Sequence, residues 1–304
     1  MKSGVPQGSV LGPLFFIIFI NDLPDIINDC NVLTFADDTK ITSKISSERD
    51  VINLQENLNK TIKWSLENNM ELNPSKFEYI CHNLNTDNSH QKLLKELPFP
   101  KNNSYIASNI SIFPSNNVRD LGVLIDNKLD WTVHLHSITM KAKQICGWIL
   151  SVFFSRDKET MLTLFNSLVK SKLEYCCSIW NPHLIKDINQ IEQVQRSFTS
   201  RIKNMQDLDY WDRLKSLNIM SLQRRREFNT LLHLWKIGNG QYPNSIDLEF
   251  KHKLRSNSIE AIVNFTKSKG KSINNLRRKF YSQRGKVMEH LACSINSYFI
   301  LFFI

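Results

Sequence analysis

The densest apolar stretch lies near the start of the chain, where Leu11, Leu14, Phe15, Phe16, Ile17, Ile18, Phe19 and Ile20 follow one another. Apolar residues around a whole circumference predict, over residues 9–28, a helix buried beneath a sheet, and Gly12 and Pro13 punctuate its entry. The pattern then turns to alternation. Residues 32–36 and 39–42 read as two short strands, with Asp37-Asp38 as the two-residue connection of a β-hairpin. Val51, Leu54, Leu58, Ile62 and Leu66 repeat at helical spacing over 48–67, with Ser47 as a cap and Leu72-Asn73-Pro74 as a stop. A strand over 77–82 follows.

Residues 83–117 are rich in Asn, Ser and Lys and carry Pro98, Pro100 and Pro114, so they read as a long loop or insertion. An extended pair is expected at 118–125 and 129–131, turning at Asp126-Asn127-Lys128. Beyond Trp131 the pattern is helical, with helices over 133–154, 158–177, 187–204, 210–217 and 221–238, the last closed by Gly238 and Gly240. After Pro243 basic and apolar residues alternate with weak periodicity. There is no internal repeat.

Composition narrows the class. The chain has 304 residues, 41% of them hydrophobic and 22% charged, which suits a folded protein and excludes global disorder. Its net charge of +10 favours an acidic partner, either a nucleic acid backbone or an anionic membrane surface. The six cysteines (Cys30, Cys81, Cys146, Cys176, Cys177, Cys293) include no C-x-x-C pair, and a reduced intracellular protein is the simpler reading. Glycines and prolines interrupt the approach to the first apolar run, so secretion is not expected. The apolar run 298–304 is shorter than the roughly 20 residues a bilayer requires and reads as a buried, unpaired or artefactual tail.

The chemistry centres on Asp37 and Asp38. A rigid hairpin tip can aim two hard carboxylates at a divalent ion, and magnesium prefers such ligands. An Asp-Asp turn alone also suits a solvated loop. What separates the two readings is the string GVPQGSVLGPLFF, residues 4–16, followed closely by TFADDTK, residues 34–40.

In order and spacing these motifs resemble the reverse transcriptases of non-LTR retrotransposons of the jockey or LINE-like kind. The resemblance implies an α+β fold in which a partial polymerase palm, a sheet with a buried helix and a catalytic hairpin, precedes an α-helical thumb and connection region. It further implies that Asp37 is a metal ligand with Asp38 in support, that Pro6, Gln7 and Gly8 form the loop against the incoming nucleotide and template base, and that Lys76 in LNPSK protonates the leaving pyrophosphate. Leu121, Gly122 and Asp126 resemble the primer-grip hairpin. Residues 168–182 and 191–201 resemble the connection region of jockey-type elements, and the likeness covers roughly four fifths of the chain. Arg224, Arg225 and Arg226 open a predicted helix where template or primer phosphates would lie, or where an arginine cluster would simply be solvated.

The resulting division is a partial palm at 1–130 containing the 83–117 insertion, thumb and connection helices at 131–242, and a basic tail at 243–304. The expected cofactor is Mg2+, with Mn2+ as a substitute, and the expected partners in the parent enzyme are an RNA template, a DNA primer and dNTPs, with no membrane. Nuclear residence would follow for an active element. The family also uses an aspartate on an earlier strand and a fingers domain, and Met1 stands three residues before Gly4. A chain incomplete at its N-terminus and inactive alone is therefore expected, with a poorly soluble apolar patch where the first helix lacks its sheet. The alternatives are a non-catalytic nucleic-acid-binding remnant and an incomplete gene model.

Overall fold

The protein is described from a computed structural model that covers residues 8–45, 47–70, 72–82, 104–238, 241, 250–252, 259–261 and 298–303. It divides into two compact units, 1–129 together with 294–304, and 130–293.

The first unit begins with α1 (Gly12–Ile20), a nine-residue helix with Pro13 in its first turn. It is not the buried helix its composition predicts. Ile17 and Ile18 are 59% and 64% exposed, and only Ile20 is buried, beside Leu23 and Trp64. An all-round apolar helix needs neighbours on every side, and α1 packs along one flank, where Phe19 stacks tilted on Trp64. The patch expected on this helix is thus present.

Strands β1 (Asn31–Phe35) and β2 (Asp38–Lys44) form the expected hairpin, with Phe35 opposite Asp38. Along β2 the pattern alternates: Thr39, Ile41 and Ser43 are buried and Asp38, Lys40 and Thr42 are half-buried. The buried face meets α2 (Glu48–Glu67), whose Val51, Leu54 and Leu58 join Ile41 and Ile45 in one core. Full burial of such side chains contributes about 1.5–3 kcal/mol each. Asp50 caps this helix by accepting the Ser47 N–H at 2.8 Å. β3 (Glu78–Cys81) follows a 3-10 turn at Pro74–Lys76.

The segment 83–117, expected as a loop, contains a hairpin. β4 (Tyr105–Ala107) pairs with β5 (Ile110–Ile112), and Tyr105, Ala107 and Ile112 enter the α2 core. Ser108 and Asn109 both take positive φ and make the tight turn that the polar composition concealed. A buried glutamine secures the pair: Gln55 donates to the Ile106 carbonyl at 2.8 Å and accepts the Ile106 N–H at 2.9 Å, as a neighbouring strand would. Residues 83–103 lie outside the described residues.

The next hairpin also departs from expectation. β6 (Asn117–Asp120) and β7 (Val123–Asp126) turn at Leu121-Gly122, not at 126–128, and residues 129–131 form no strand. Positive φ at both Leu121 and Gly122 defines the turn; a leucine in that conformation carries no sequence signal. Asp126 instead closes the following bend by accepting the Lys128 N–H at 2.8 Å.

The tail expected to be buried, unpaired or artefactual contributes a strand. β8 (Phe250–His252) and β9 (Ile259–Ala261) pair with each other, whereas β10 (Tyr298–Phe303) enters the main sheet, whose order is β1-β2-β10-β3 with antiparallel neighbours throughout.

The second unit is helical. α3 (Thr132–Val152) is followed by the helix Lys158–Leu164, a π turn at Phe165–Lys170 and the short helix Ser171–Glu174, so the single helix predicted over 158–177 is broken. Cys176, at φ 51, restarts the chain as Cys177–Trp180. The remaining helices, Ile185–Thr199, Tyr210–Leu217 and Leu222–Gly238, match their predicted spans to within a few residues. Glu192 fixes the last of these: its carboxylate accepts the Leu222 and Gln223 N–H groups, each at 3.1 Å, at the helix start and also accepts the Tyr210 hydroxyl. Among the described residues no helix is long and apolar enough to cross a membrane.

Candidate active site

The turn between β1 and β2 is Ala36-Asp37, one residue earlier than the pattern suggests, because Asp38 already pairs with Phe35 as the first residue of β2. Ala36 sits at φ 52, a left-handed conformation that costs a non-glycine residue on the order of 1 kcal/mol. Strain of this kind at a tip is a recurrent feature of functional sites. The tip holds Asp37 exposed and Asp38 half-buried, on the face of the hairpin that also presents Phe35 at 63% exposure.

The two carboxylates differ electrostatically. Burial, then the charges of Asp37 and Asp120, pushes the Asp38 carboxyl above its usual range, and Lys40 partly offsets them. Asp120, from β6, is thereby brought into the field of the tip, and Lys40 binds it at 2.5 Å. Neither Lys40 nor Asp120 stands out in the sequence, because a cross-sheet ion pair eighty positions apart leaves no spacing to read.

Phe302 of β10 faces Lys40 on one side and Glu78 on the other, so those two residues are level. Lys76 closes the 3-10 turn two residues before Glu78, ahead of β3. Lys76 is exposed there. Gly8 is exposed at φ 86 with open space where a Cβ would stand, so its backbone conformation is what favours glycine. Pro6 and Gln7 lie outside the described residues. Leu121 and Gly122 form the β6–β7 turn, and Asp126 is buried and holds the bend after it.

The arginine cluster separates. Arg225 forms a two-point pair with Glu174, and Arg226 is 1% exposed, donating through Nε to Asn181 at 3.2 Å. These two face inward along the helix, and Arg224 is the exposed member.

Two adjacent carboxylates, hard oxygen donors of which one has its carboxyl pushed up by burial and by the neighbouring charges, are a place where a divalent cation relieves repulsion. Among the described residues no set of three His, Cys, Asp or Glu side chains is gathered for a metal. The arrangement fits an ion that takes one or two carboxylates and completes its shell with water and phosphate oxygens.

Sequence comparison shows what the chain is similar to. Residues 1–125 match the family described as reverse transcriptase (RNA-dependent DNA polymerase). The particular relatives are mobile-element proteins. The chain is 26% identical over 203 residues to the probable RNA-directed DNA polymerase from transposon X-element of Drosophila melanogaster, covering 64% of this chain and 21% of that protein. It is 23% identical over 214 residues to the RNA-directed DNA polymerase from mobile element jockey of Drosophila funebris, covering 66% and 22%. A third, from transposon BS of Drosophila melanogaster, is 25% identical over 206 residues, with 64% and 22% covered. The jockey-like reverse transcriptase resemblance read from the motifs therefore stands, and the chain spans about a fifth of the length of these relatives. No solved structure matches.

Proposed function

We propose that this chain is the rear part of an RNA-directed DNA polymerase of a non-LTR retrotransposon, with residues 1–130 a partial palm and the helices of 131–242 a thumb and connection region. The observation that carries the proposal is the position of Asp37 and Asp38 at the exposed tip of the β1–β2 hairpin. Asp37 would hold a divalent cation, Mg2+ by its preference for carboxylate oxygen, with Asp38 as the second donor. Such an ion, when bound, stabilises charge on the attacking and leaving oxygens of a phosphoryl transfer.

The chain's own residues do the rest. Lys76 gives a proton to the pyrophosphate as it leaves, when the primer 3′ oxygen forms its bond to the α-phosphorus. Gly8 lets the backbone approach the nucleotide, which Gln7, beside Pro6 in the family motif, would contact. Lys40 holds Asp120 and moderates the charge that Asp38 feels. The Leu121-Gly122 turn and Asp126 belong to a hairpin that supports the primer, and Arg224 meets a backbone phosphate while Arg225 and Arg226 keep the helix in place. RNA template, DNA primer and dNTPs are the corresponding partners.

Primer extension on an RNA template tests this. The chain alone, and the chain joined to the upstream part of a jockey-type polymerase, are each compared with Asp37→Ala in Mg2+ and in Mn2+. Extension by the joined protein that falls at least about a hundredfold in Asp37→Ala supports the proposal. Extension indifferent to Asp37 overturns it. Two tip carboxylates are too few to hold two ions in line, so the chain alone is expected to be inactive; Asp37-dependent extension by the chain alone would contradict that expectation.

A further inference from the structure

Along β2 the half-buried Asp38, Lys40 and Thr42 share one face, and the buried Thr39, Ile41 and Ser43 share the other. Positions 38 and 40 are therefore same-face neighbours, about 6.6–6.8 Å apart along the strand. A lysine ammonium on its flexible four-carbon stem spans that distance. The tip carboxylates are thus within reach of a cation from their own strand, and Lys40 already lowers the Asp38 carboxyl. In the structure the ammonium goes to Asp120, whose carboxylate oxygen lies 2.5 Å away, with both side chains less than a fifth exposed.

Asp120 does not owe its place to Lys40. It is the last residue of β6 before the Leu121-Gly122 turn and faces Val123 of β7. The base of that hairpin is rooted on β3: the Ser115 N–H donates to the Tyr79 carbonyl at 2.8 Å, and Val118 packs on Ile80 as a buried pair. Lys40 is therefore drawn aside by a carboxylate that a separate part of the fold holds in place. An ammonium resting on the tip would occupy carboxylate oxygens and oppose a divalent cation by like charge, at a range too short for salt to screen.

We propose that Asp120 is a positioning residue for the divalent cation: by holding the Lys40 ammonium away from Asp38 it leaves the tip carboxylates to the ion, and the β6–β7 hairpin thereby governs how tightly the ion binds. That role rests on Asp37 and Asp38 being the ion's donors, as proposed above. It couples ion binding to the seating of a hairpin some eighty positions away in the chain. A hairpin lifted from β2 releases Lys40 onto the tip, and a seated one clears it.

A water-soluble carbodiimide, which joins an amine to a carboxylate in contact with it, reads where the ammonium sits. In the native chain the amide, located by mass spectrometry, is expected between Lys40 and Asp120, with and without Mn2+. In Asp120→Asn it is expected between Lys40 and Asp38 or Asp37, and Mn2+ should suppress it. A native chain lacking the first link, or an Asp120→Asn chain lacking the second, overturns the proposal. Should Asp120→Asn fail to fold, Lys40→Met supplies the other arm: without the competing ammonium, Mn2+ is expected to bind at least as tightly as to the native chain, and weaker binding overturns the proposal.

Free Mn2+, counted by electron paramagnetic resonance, gives the affinities. Asp120→Asn is expected to bind the ion about tenfold more weakly than the native chain, and Lys40→Met with Asp120→Asn to recover the native affinity, because the ammonium that covers the tip is gone. A double variant as weak as the single one overturns the proposal, since loss of the hairpin contact would then explain both. Asp37→Ala separates this role from the function it rests on. Mn2+ binding indifferent to Asp37 overturns the donors assigned above and this role with them, whereas Asp37-dependent binding that Asp120→Asn leaves unchanged overturns this role alone.

Discussion

The ammonium of Lys40 on β2 lies 2.5 Å from a carboxylate oxygen of Asp120 on β6, with both side chains less than a fifth exposed. The pair fastens a hairpin to the strand that begins with Asp38. Removing one partner of a partly buried pair leaves the other charge without compensation. Lys40→Met is expected to cost about 1–2 kcal/mol in urea denaturation, between the values for exposed and buried pairs. It should also push the Asp38 carboxyl further up, since Lys40 lowers it; carbonyl NMR of Asp38 across pH reads that shift directly.

Asp38 carries a second expectation. Its folded carboxyl is raised by burial, by Asp37 and by Asp120. A carboxyl raised on folding favours the folded state when protonated, so its contribution is fully present below the ordinary carboxylate value and is lost as pH rises through the raised one. Asp38→Asn should remove this slope and stabilise the chain above that window by on the order of 0.5 kcal/mol, because the group is partly exposed and screened. Denaturation midpoints at pH 4 and pH 7 check it, and an unchanged difference between them would contradict the assignment.

His82 gives the opposite slope. It is buried, its Nδ1 lies 3.4 Å from the Asn127 carbonyl, and burial lowers its basicity. The unfolded chain then binds a proton that the folded chain refuses, so stability is present above the ordinary histidine value and is lost as pH falls below it. A steeper loss between pH 7 and pH 5 in the native chain than in His82→Gln is the expected result.

Gln55→Leu tests the clasp on β4. The leucine fills similar space but orphans the N–H and carbonyl of Ile106. The expected loss is about 2–4 kcal/mol, with faster amide exchange along β4 and β5 as the local signature.

Ala36→Gly should do the reverse. At φ 52 the alanine methyl is strained and glycine is not. The variant is expected to gain about 1 kcal/mol in thermal or urea denaturation without moving Asp37. A loss of stability would show that the turn does not hold this conformation.

These residues mark where sequence pattern informs and where it stops. The hairpin bearing Asp37 and Asp38, the helix after it and the last three long helices of the second unit are legible, because period-two and period-3.6 burial act within short windows. The Leu121 turn is not, since nothing local announces a leucine at positive φ. Tyr105 and Ile112 hide in a polar stretch because two three-residue strands are too short to show a period. The exposure of α1 and the inward direction of Arg225 and Arg226 depend on which surfaces lie beside them, which only tertiary packing decides. The carboxylates are legible through motif spacing. Their setting, with Asp120 and Lys40 nearby, arises from strands far apart in the chain.

Because β10 follows the second unit, every hydrogen bond it makes to β2 and β3 closes a loop that contains all the helices of that unit. Loop closure grows only slowly with length, so equilibrium stability is little affected, but the rate of forming such distant contacts is low. The β1–β2 hairpin can form at once; the sheet waits. Any loosening of the helices lengthens the effective tether and delays closure further, so a lesion remote from the carboxylates would first appear as slow refolding and as aggregation through the open edges of β2 and β3.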